Sequence, residues 1–418
     1  MSTLPPPQVP EALRVPTARV GAGFIAAIVV VHVGINVGFF APIQVLLGLH
    51  AQQIDASAKA AILSLVTAVG AAVSMVANPL FGALSDRTTS RFGRRVPWIF
   101  VGTLSVAAAL LFMSTTNSVS GLVLGWALVQ AAGNAALAAI FAVVPDKVPV
   151  EQRGLVGGLV ALGQTGGALI GAAIGMVAAA DLVFGYALVA VCVGLCAVPF
   201  VLMRRDVVLP AGALEPLRLG QFLRSFWINP ARYPDFGWAW LARFLLYLGS
   251  QLILVYLLYF LQDKLHHPEP AQGVLVLTAV YAVCVIFSAV LFGRFSDRDG
   301  KRKRYVVLSS LIVAAAAVLM AFCSVFWVAV IGAMLLGVGF GSYLAVDFAL
   351  LTQVLPHADS RGKDLGVINI ANSLPQVVAP VVAWISVTWL GGYPALFLSA
   401  AVVSLAGAWL VTKVRSVP

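Results

Sequence analysis

Gly82-Ala83-Leu84-Ser85-Asp86-Arg87 and Gly293-Arg294-Phe295-Ser296-Asp297-Arg298 are two copies of one pattern. Each closes a long apolar run. Each is followed by a basic cluster, Gly93-Arg94-Arg95 in the first copy and Gly300-Lys301-Arg302-Lys303-Arg304 in the second. The two aspartates stand 211 residues apart, and a second pair, Arg153-Gly154 and Arg361-Gly362, repeats at an offset of 208. Two motifs sharing nearly one offset indicate a duplicated unit of about six helices.

The surrounding sequence says where such a unit resides. Of 418 residues, 61% are hydrophobic and 10% charged, against roughly 25% charged in an ordinary soluble domain. A soluble protein of this composition would expose large apolar patches; in a bilayer the same surface faces lipid. Apolar runs lie near 20–48, 59–84, 97–116, 120–144, 154–180, 184–203, 237–261, 271–295, 305–326, 327–355, 365–389 and 393–412, here numbered spans 1 to 12. Each is about the 20 residues that a helix needs to cross hydrocarbon. Lipid leaves unpaired backbone groups no partner, so the spans are helical, and the short alternating segments of a β-barrel are missing. The expected fold is an all-α membrane protein with twelve transmembrane helices in two pseudo-symmetric six-helix bundles, 20–203 and 237–412. Residues 1–19 and 413–418 are read as cytoplasmic tails. Residues 204–236 are read as a cytoplasmic linker, with Phe226-Trp227-Ile228 and Pro230 on a short surface helix. The first span is too long for the apolar region of a cleavable signal.

Charge placement orients the chain. The net charge of +10 would suit nucleic acid, but the basic residues are scattered between apolar spans and form no continuous face. With the N-terminus inside, only Lys59 and Lys264 fall in outside loops and only Arg243 falls in a span. The other 23 of 26 basic residues are then inside. Both termini are therefore expected in the cytoplasm of a cell (inner or plasma) membrane protein. Cys192, Cys196, Cys284 and Cys323 all lie in spans with no His or further Cys to complete a metal site, and read as buried thiols. No cofactor and no enzymatic constellation is indicated.

The repeated loop has legible chemistry. Gly82 and Gly293 would let two helix ends approach. Asp86, and Asp297 in the second copy, would accept hydrogen bonds at a neighbouring helix N-terminus, where the dipole favours an anion. Arg87, Gly93, Arg94 and Arg95, like Arg298, would hold the loop's own carboxylate or anionic lipid heads. With Arg153 and Arg361 these residues would form a conformational gate. The alternative is a plain topology signal.

Polar groups inside lipid spans are costly and are functional candidates by default. Only Arg243 in span 7 and Asp347 in span 10 carry formal charge there. At ~1.5 Å per residue both lie about 9–12 Å from the inner end, so an ion pair is expected. Either Asp347 exchanges a proton during transport, or the pair stays charged and braces an inner gate. Neutral groups recur at helical spacing: His32 and Asn36; Gln130 and Asn134; Tyr247 and Gln251, continuing the face of Arg243; Tyr343, one turn before Asp347; and Asn369, Asn372, Ser373 and Gln376, with Gln164 alone in span 5. They read as a substrate-binding set or as interhelical hydrogen bonds. His32 titrates in the right range for a second proton carrier, or serves as a neutral partner. Gly163, Gly167, Gly171 and Gly175 form a small-residue stripe expected to touch a helix of the other half. Pro42, Pro79 and Pro380 are placed to bend spans 1, 2 and 11.

The loop pattern resembles that of the major facilitator superfamily over the whole chain. The run Asp86-Arg87-Thr88-Thr89-Ser90-Arg91-Phe92-Gly93-Arg94-Arg95-Val96-Pro97-Trp98 resembles the glycoside–pentoside–hexuronide:cation symporters and the related sucrose-type proton symporters. Leu365-Gly366-Val367-Ile368-Asn369 and Pro375-Gln376 in span 11 resemble the sucrose-type branch. The resemblance implies a secondary transporter working by alternating access, with spans 1, 4, 7 and 10 around a central cavity that solvates the charged pair. It implies proton-coupled symport of a sugar or glycoside-like solute by a monomer. Spans 2 and 4 depart from those branches by lacking a carboxylate, span 4 offering only Gln130 and Asn134. The alternative is a proton-antiport exporter of a drug-like or secreted metabolite.

Overall fold

A computed structural model describes residues 16–203, 206, 208–210, 212, 220, 233–299, 302–354 and 361–414, with side chains left out at 297, 299 and 348–369. The tail 1–15, most of the linker and the side chains of Asp297, Arg361 and Asn369 thus lie outside the described residues.

Twelve helices are long and apolar enough to cross a membrane, and no strand occurs among the described residues. They are α1 (Ala22–Ile54), α2 (Lys59–Asp86), α3 (Val96–Thr115), α4 (Val119–Lys147), α5 (Val150–Val177), α6 (Leu182–Leu202), α7 (Pro234–Lys264), α8 (Pro270–Asp299), α9 (Arg302–Ala321), α10 (Phe326–Val354), α11 (Arg361–Trp389) and α12 (Tyr393–Val411). Local chemistry starts several of them. Ser118 and Asp181 accept the backbone N–H of Gly121 and Phe184, capping α4 and α6. Proline opens α3, α7 and α12, where its missing N–H costs nothing. Large apolar side chains such as Leu195, Phe287, Phe322 and Trp327 point outward and stay more than 60% exposed, as a lipid-facing surface requires.

α1 runs to Ile54, past its expected end at 48. Pro42 has no N–H to give, and a π-helical turn over Pro42–Leu46 absorbs the missing bond so that the helix continues. α7 repeats the device. Its α-helical bonding is interrupted at 255–256 and resumes through a π-helical turn over Phe260–Lys264.

Helix packing carries the duplication into space. Within the first half α1 packs on α4, α5 and α6, α2 on α4, and α3 on α4 and α6. In the second half α7 packs on α10, α11 and α12, α8 on α10, and α9 on α10 and α12. Every pair maps onto its partner by adding six. The two main contacts between halves, α2 with α11 and α5 with α8, exchange under the same operation.

The glycine stripe of α5 lies against α1 of its own half, not against the other half as expected. A methyl group built on Gly167 would lie 2.5 Å from Asn36 Cβ. On Gly171 it would lie 2.7 Å from the main-chain nitrogen of Ala41, and on Gly175 2.7 Å from Val45. The stripe fits α5 to the bulky residues of α1, while Gly154, Gly157 and Gly158 have open space at the start of α5. Gly171 meets backbone, which cannot rotate away. Gly171→Ala should destabilise the bundle by about 1–3 kcal/mol, while Gly157→Ala is neutral. Thermal unfolding of the two variants in detergent checks this, and equal midpoints would refute it.

Candidate functional site: a cavity between the halves

α2 ends and α3 begins at the repeated loop, and this end of the bundle is called the motif end. A cavity of about 850 Å³ opens there, with Asp86, its side chain 49% exposed, at the mouth. It reaches inward to Ile43 and Ser74. The wall comes from α1 (Asn36, Phe39, Phe40), α2 (Ser74, Met75, Asn78), α4 (Gln130, Asn134, Phe141), α5 (Gln164) and α11 (Asn372, Gln376). This differs from the expected ring of helices 1, 4, 7 and 10. Of the expected binding residues, Asn36, Gln130, Asn134, Gln164, Asn372 and Gln376 line the cavity. His32, Tyr247, Gln251 and Tyr343 do not. The polar faces of α7 and α10 meet each other, through Arg243 with Asp347 and Tyr247 with Tyr343, away from the cavity. Asn78 and Ser74 were missed by sequence reasoning. The signal was present: Ser74, Asn78, Gly82 and Asp86 recur every four residues along one face of α2.

Hydrogen bonds tie the wall together. Asn78 Nδ2 donates to Asn134 Oδ1 at 3.2 Å, and Asn134 Nδ2 donates to the main-chain oxygen of Gln130 at 2.8 Å. Asn36 Nδ2 donates to the main-chain oxygen of His32 at 2.8 Å. The His32 ring contacts the Ile28 carbonyl through Nδ1 at 3.0 Å and packs edge-on to Phe141, with centroids 4.6 Å apart.

Arg243 and Asp347 are in ion-pair contact. Both are buried, 8% and 5% exposed, and neither touches the cavity, so the expected solvation from it does not hold in this state. Tyr343 Oη donates to Asp347 Oδ1 at 2.5 Å, Arg243 Nε donates to Asn372 Oδ1 at 2.6 Å, and the guanidinium lies 5.3 Å from the Tyr247 ring centre. Charge this deep persists only when paired and hydrogen-bonded, and α7, α10 and α11 each supply part of that satisfaction.

The loop's arginines hold its own carboxylate and one from α4. Arg95 Nη2 reaches Asp86 at 2.6 Å, its Nε reaches Asp146 of α4 at 2.8 Å and its Nη1 reaches Ser85 Oγ at 2.8 Å; Arg94 meets Asp146 at 2.5 Å. Burial disfavours the charge of Arg95, yet Asp146 and Asp86 outweigh it and hold its pKa above the ordinary arginine value. The anion at the N-terminus of α3 is Asp206, beyond α6, and not Asp86. Asp206 accepts the backbone N–H of Arg95 at 2.5 Å and of Val96 at 2.9 Å. Gly93 makes room for it at φ 94°, where a side chain would strike that carboxylate. Arg153 closes the last turn of α4, donating to the carbonyls of Val148 and Pro145 at 3.0 Å each. Gly82 and Gly293 make no tight approach: a methyl group there would meet Ala138 at 3.8 Å and Ala345 at 3.6 Å. With the motif end open, the end of α2 borders the cavity.

The opposite end is shut by bonds between the halves. Tyr259 Oη donates to the carbonyl of Gly48 at 2.8 Å, and Lys59 pairs with Asp263 at 2.7 Å, a carboxylate that also accepts from Tyr393 at 2.7 Å. Tyr256, Ser64 and the carbonyls of Ala60 and Pro380 form a cluster of 2.6 Å contacts. Two hydroxyl hydrogens serve those three contacts, joining α2, α7 and α11.

A family model described as the Major Facilitator Superfamily matches residues 22–268 and 239–418. The chain belongs to the Major Facilitator Superfamily. Within this superfamily it is similar to tetracycline resistance protein, class E, of Escherichia coli, 32% identical over 136 residues. That match covers 32% of this chain and spans about a third, 33%, of the relative's length. Among solved structures, a peptide transporter POT in complex with sulfate superposes with a TM-score of 0.76 at 15% identity over 96% of each chain. A mutant of peptide transporter POT with alafosfalin gives 0.73 at 15% over 93% of each. At that identity the likeness is one of fold. The protein is thus a multi-pass membrane protein of this superfamily.

In a transporter with one closed end, weakening the closure shifts the balance between states. A buried hydrogen bond contributes about 0.5–1.5 kcal/mol net. Tyr256→Phe should therefore raise labelling of a cysteine placed at Ile43, by reagent added from the far side, about three- to tenfold. An unchanged labelling rate in an otherwise cysteine-free chain would rule out this closure.

Proposed function

We propose that the protein exports an amphipathic, ring-bearing solute in exchange for protons, by alternating access of one cavity to the two sides of the membrane. The observation that carries this reading is the cavity wall. Phe39, Phe40, Phe141 and Met75 alternate with the amides Asn36, Asn78 and Gln130, and the one charge among the lining residues, Asp86, stands at the mouth. Apolar surface with a few placed polar groups suits a drug-sized solute. The volume of about 850 Å³ lies within the range of about 300–1,000 Å³ for such sites. A relative named for resistance to tetracycline supports a drug-like solute.

In this proposal both termini are cytoplasmic, in the cell membrane, and the motif end faces the cytosol. The state described is then the one in which an exporter takes up its solute from inside. The Arg243–Asp347 pair is the proton site. It is the one charged group within the described spans that is buried in ion-pair contact and separated from the cavity by a single residue. Asp347 takes up a proton from the far side and releases it to the cytosol as solute binds. The domain reading follows: two rigid six-helix halves, 20–203 and 237–412, rock about the contacts of α2 with α11 and α5 with α8 in a monomer.

A second reading, proton symport of a sugar or glycoside-like solute, draws on the amides and aromatic rings of the same wall. Purified protein in proteoliposomes separates the two. Under an imposed pH gradient, transport of tetracycline and ethidium against the proton flow supports export, and accumulation of sucrose or melibiose with it supports symport. A gradient of one pH unit stores about 1.4 kcal/mol, enough for about tenfold accumulation at one proton per solute. Asp347→Asn should abolish that accumulation. Gradient-driven transport at the wild-type level in this variant would remove Asp347 from the mechanism.

A further inference from the structure

We infer that Asn372 couples the buried ion pair to the solute: one face of its amide reads Arg243 and the other presents a hydrogen-bond donor to the cavity. The inference rests on the proton-antiport reading and adds the residue that links its two sites.

Amide groups are usually ambiguous, since oxygen and nitrogen exchange places with a flip. Here one-way partners remove the ambiguity. A guanidinium only donates, so the Asn372 atom held by Arg243 Nε at 2.6 Å is its oxygen. Its nitrogen is left for the cavity it lines. A main-chain carbonyl only accepts. The Asn36 atom on the His32 carbonyl is therefore nitrogen, and so is the Asn134 atom on the Gln130 carbonyl. Asn134 must then receive Asn78 through its oxygen, and Asn78 keeps its own oxygen as the unengaged atom. The first-half wall thus offers the acceptors Asn36 Oδ1 and Asn78 Oδ1, and the second-half wall offers the donor Asn372 Nδ2. A solute that bridges the halves carries a hydroxyl, amine or ammonium on one side and a carbonyl, enolate or phenolate oxygen on the other.

Among the described residues lining the cavity, Asn372 is bonded to the pair. When Asp347 is ionised, it holds Arg243 back, and Arg243 in turn holds Asn372 with its nitrogen available. A proton from water adding to the Asp347 carboxylate gives a neutral acid and leaves the guanidinium without a counter-charge. An unpaired buried charge is strongly disfavoured. Among the described residues, the other groups around it supply no replacement. α7 offers the Tyr247 ring, α10 Tyr343, α8 Tyr281 behind Phe340, and α9 meets α10 at Gly339 through Ser309 and Val313. The cavity, open at the motif end, lies past Asn372. Arg243 moving toward it displaces the amide and removes the donor, so proton and solute exclude one another, as antiport requires.

The test measures binding of tetracycline and ethidium to purified full-length protein between pH 5.5 and 8. Wild-type affinity should rise at least about tenfold toward pH 8. Asn372→Asp gives Arg243 a second carboxylate, so protonating Asp347 no longer frees it. The pH dependence should then flatten to less than about twofold, with weaker binding at pH 8 from loss of the donor. Asn372→Leu, similar in shape with no polar atom, should bind at least about fivefold more weakly at pH 8. A uniform loss of affinity with the wild-type pH slope intact in Asn372→Asp overturns the coupling role, as does wild-type binding by Asn372→Leu. A flat wild-type profile, or no binding of either probe, overturns the antiport reading itself and the coupling with it.

Discussion

Hydrocarbon offers no hydrogen bonds, so every polar group within the twelve helices must be answered from inside the bundle. Backbone groups are answered by helicity, which accounts for the long spans and for the π-helical turns that carry α1 past Pro42 and α7 past its interruption. Side chains must find each other. The Arg243–Asp347 pair does so with help from Tyr343 and Asn372, drawing α7, α10 and α11 into one buried polar cluster. The amides of α2 and α4 do so in the first half.

The two ends of the molecule solve the same problem in opposite ways. At the far end Tyr256, Tyr259, Ser64 and the Lys59–Asp263 pair satisfy one another across the halves, and the cavity is closed. At the motif end Asp86, Asp146, Arg94, Arg95 and Asp206 satisfy one another within the first half and the start of the linker. Among the described residues these bonds stay on that side, and the cavity opens. In the proposed alternating access the two ends exchange these roles. Reversing the state requires that the far-end hydroxyls and charges find water while the motif end finds new partners in the second half.

The glycines sort by the same logic. Gly163, Gly167, Gly171 and Gly175 are fitted to α1, so α1 and α5 move as one body. Gly82 and Gly293 have room, one bordering the cavity mouth and the other at the matched place on α8.

Much of this was legible in the sequence. Apolar run length determined the number of spans, because the thickness of hydrocarbon sets it. The offset between Asp86 and Asp297 determined the duplication, and the packing pairs repeat it. Arg243 and Asp347 stood out as the two charges inside spans. The sequence left open which face of each helix turns inward. That depends on the rotation of rigid helices against one another, and it placed Asn78 and Ser74 on the wall while leaving Tyr343 and His32 behind it. Nor did it contain the partners supplied from far along the chain: Asp206 for the start of α3, Tyr259 for the end of α1, and Asn372 for Arg243. These pairings join residues more than 100 positions apart, and no local pattern marks them, because the energy that selects them comes from burial in the assembled bundle.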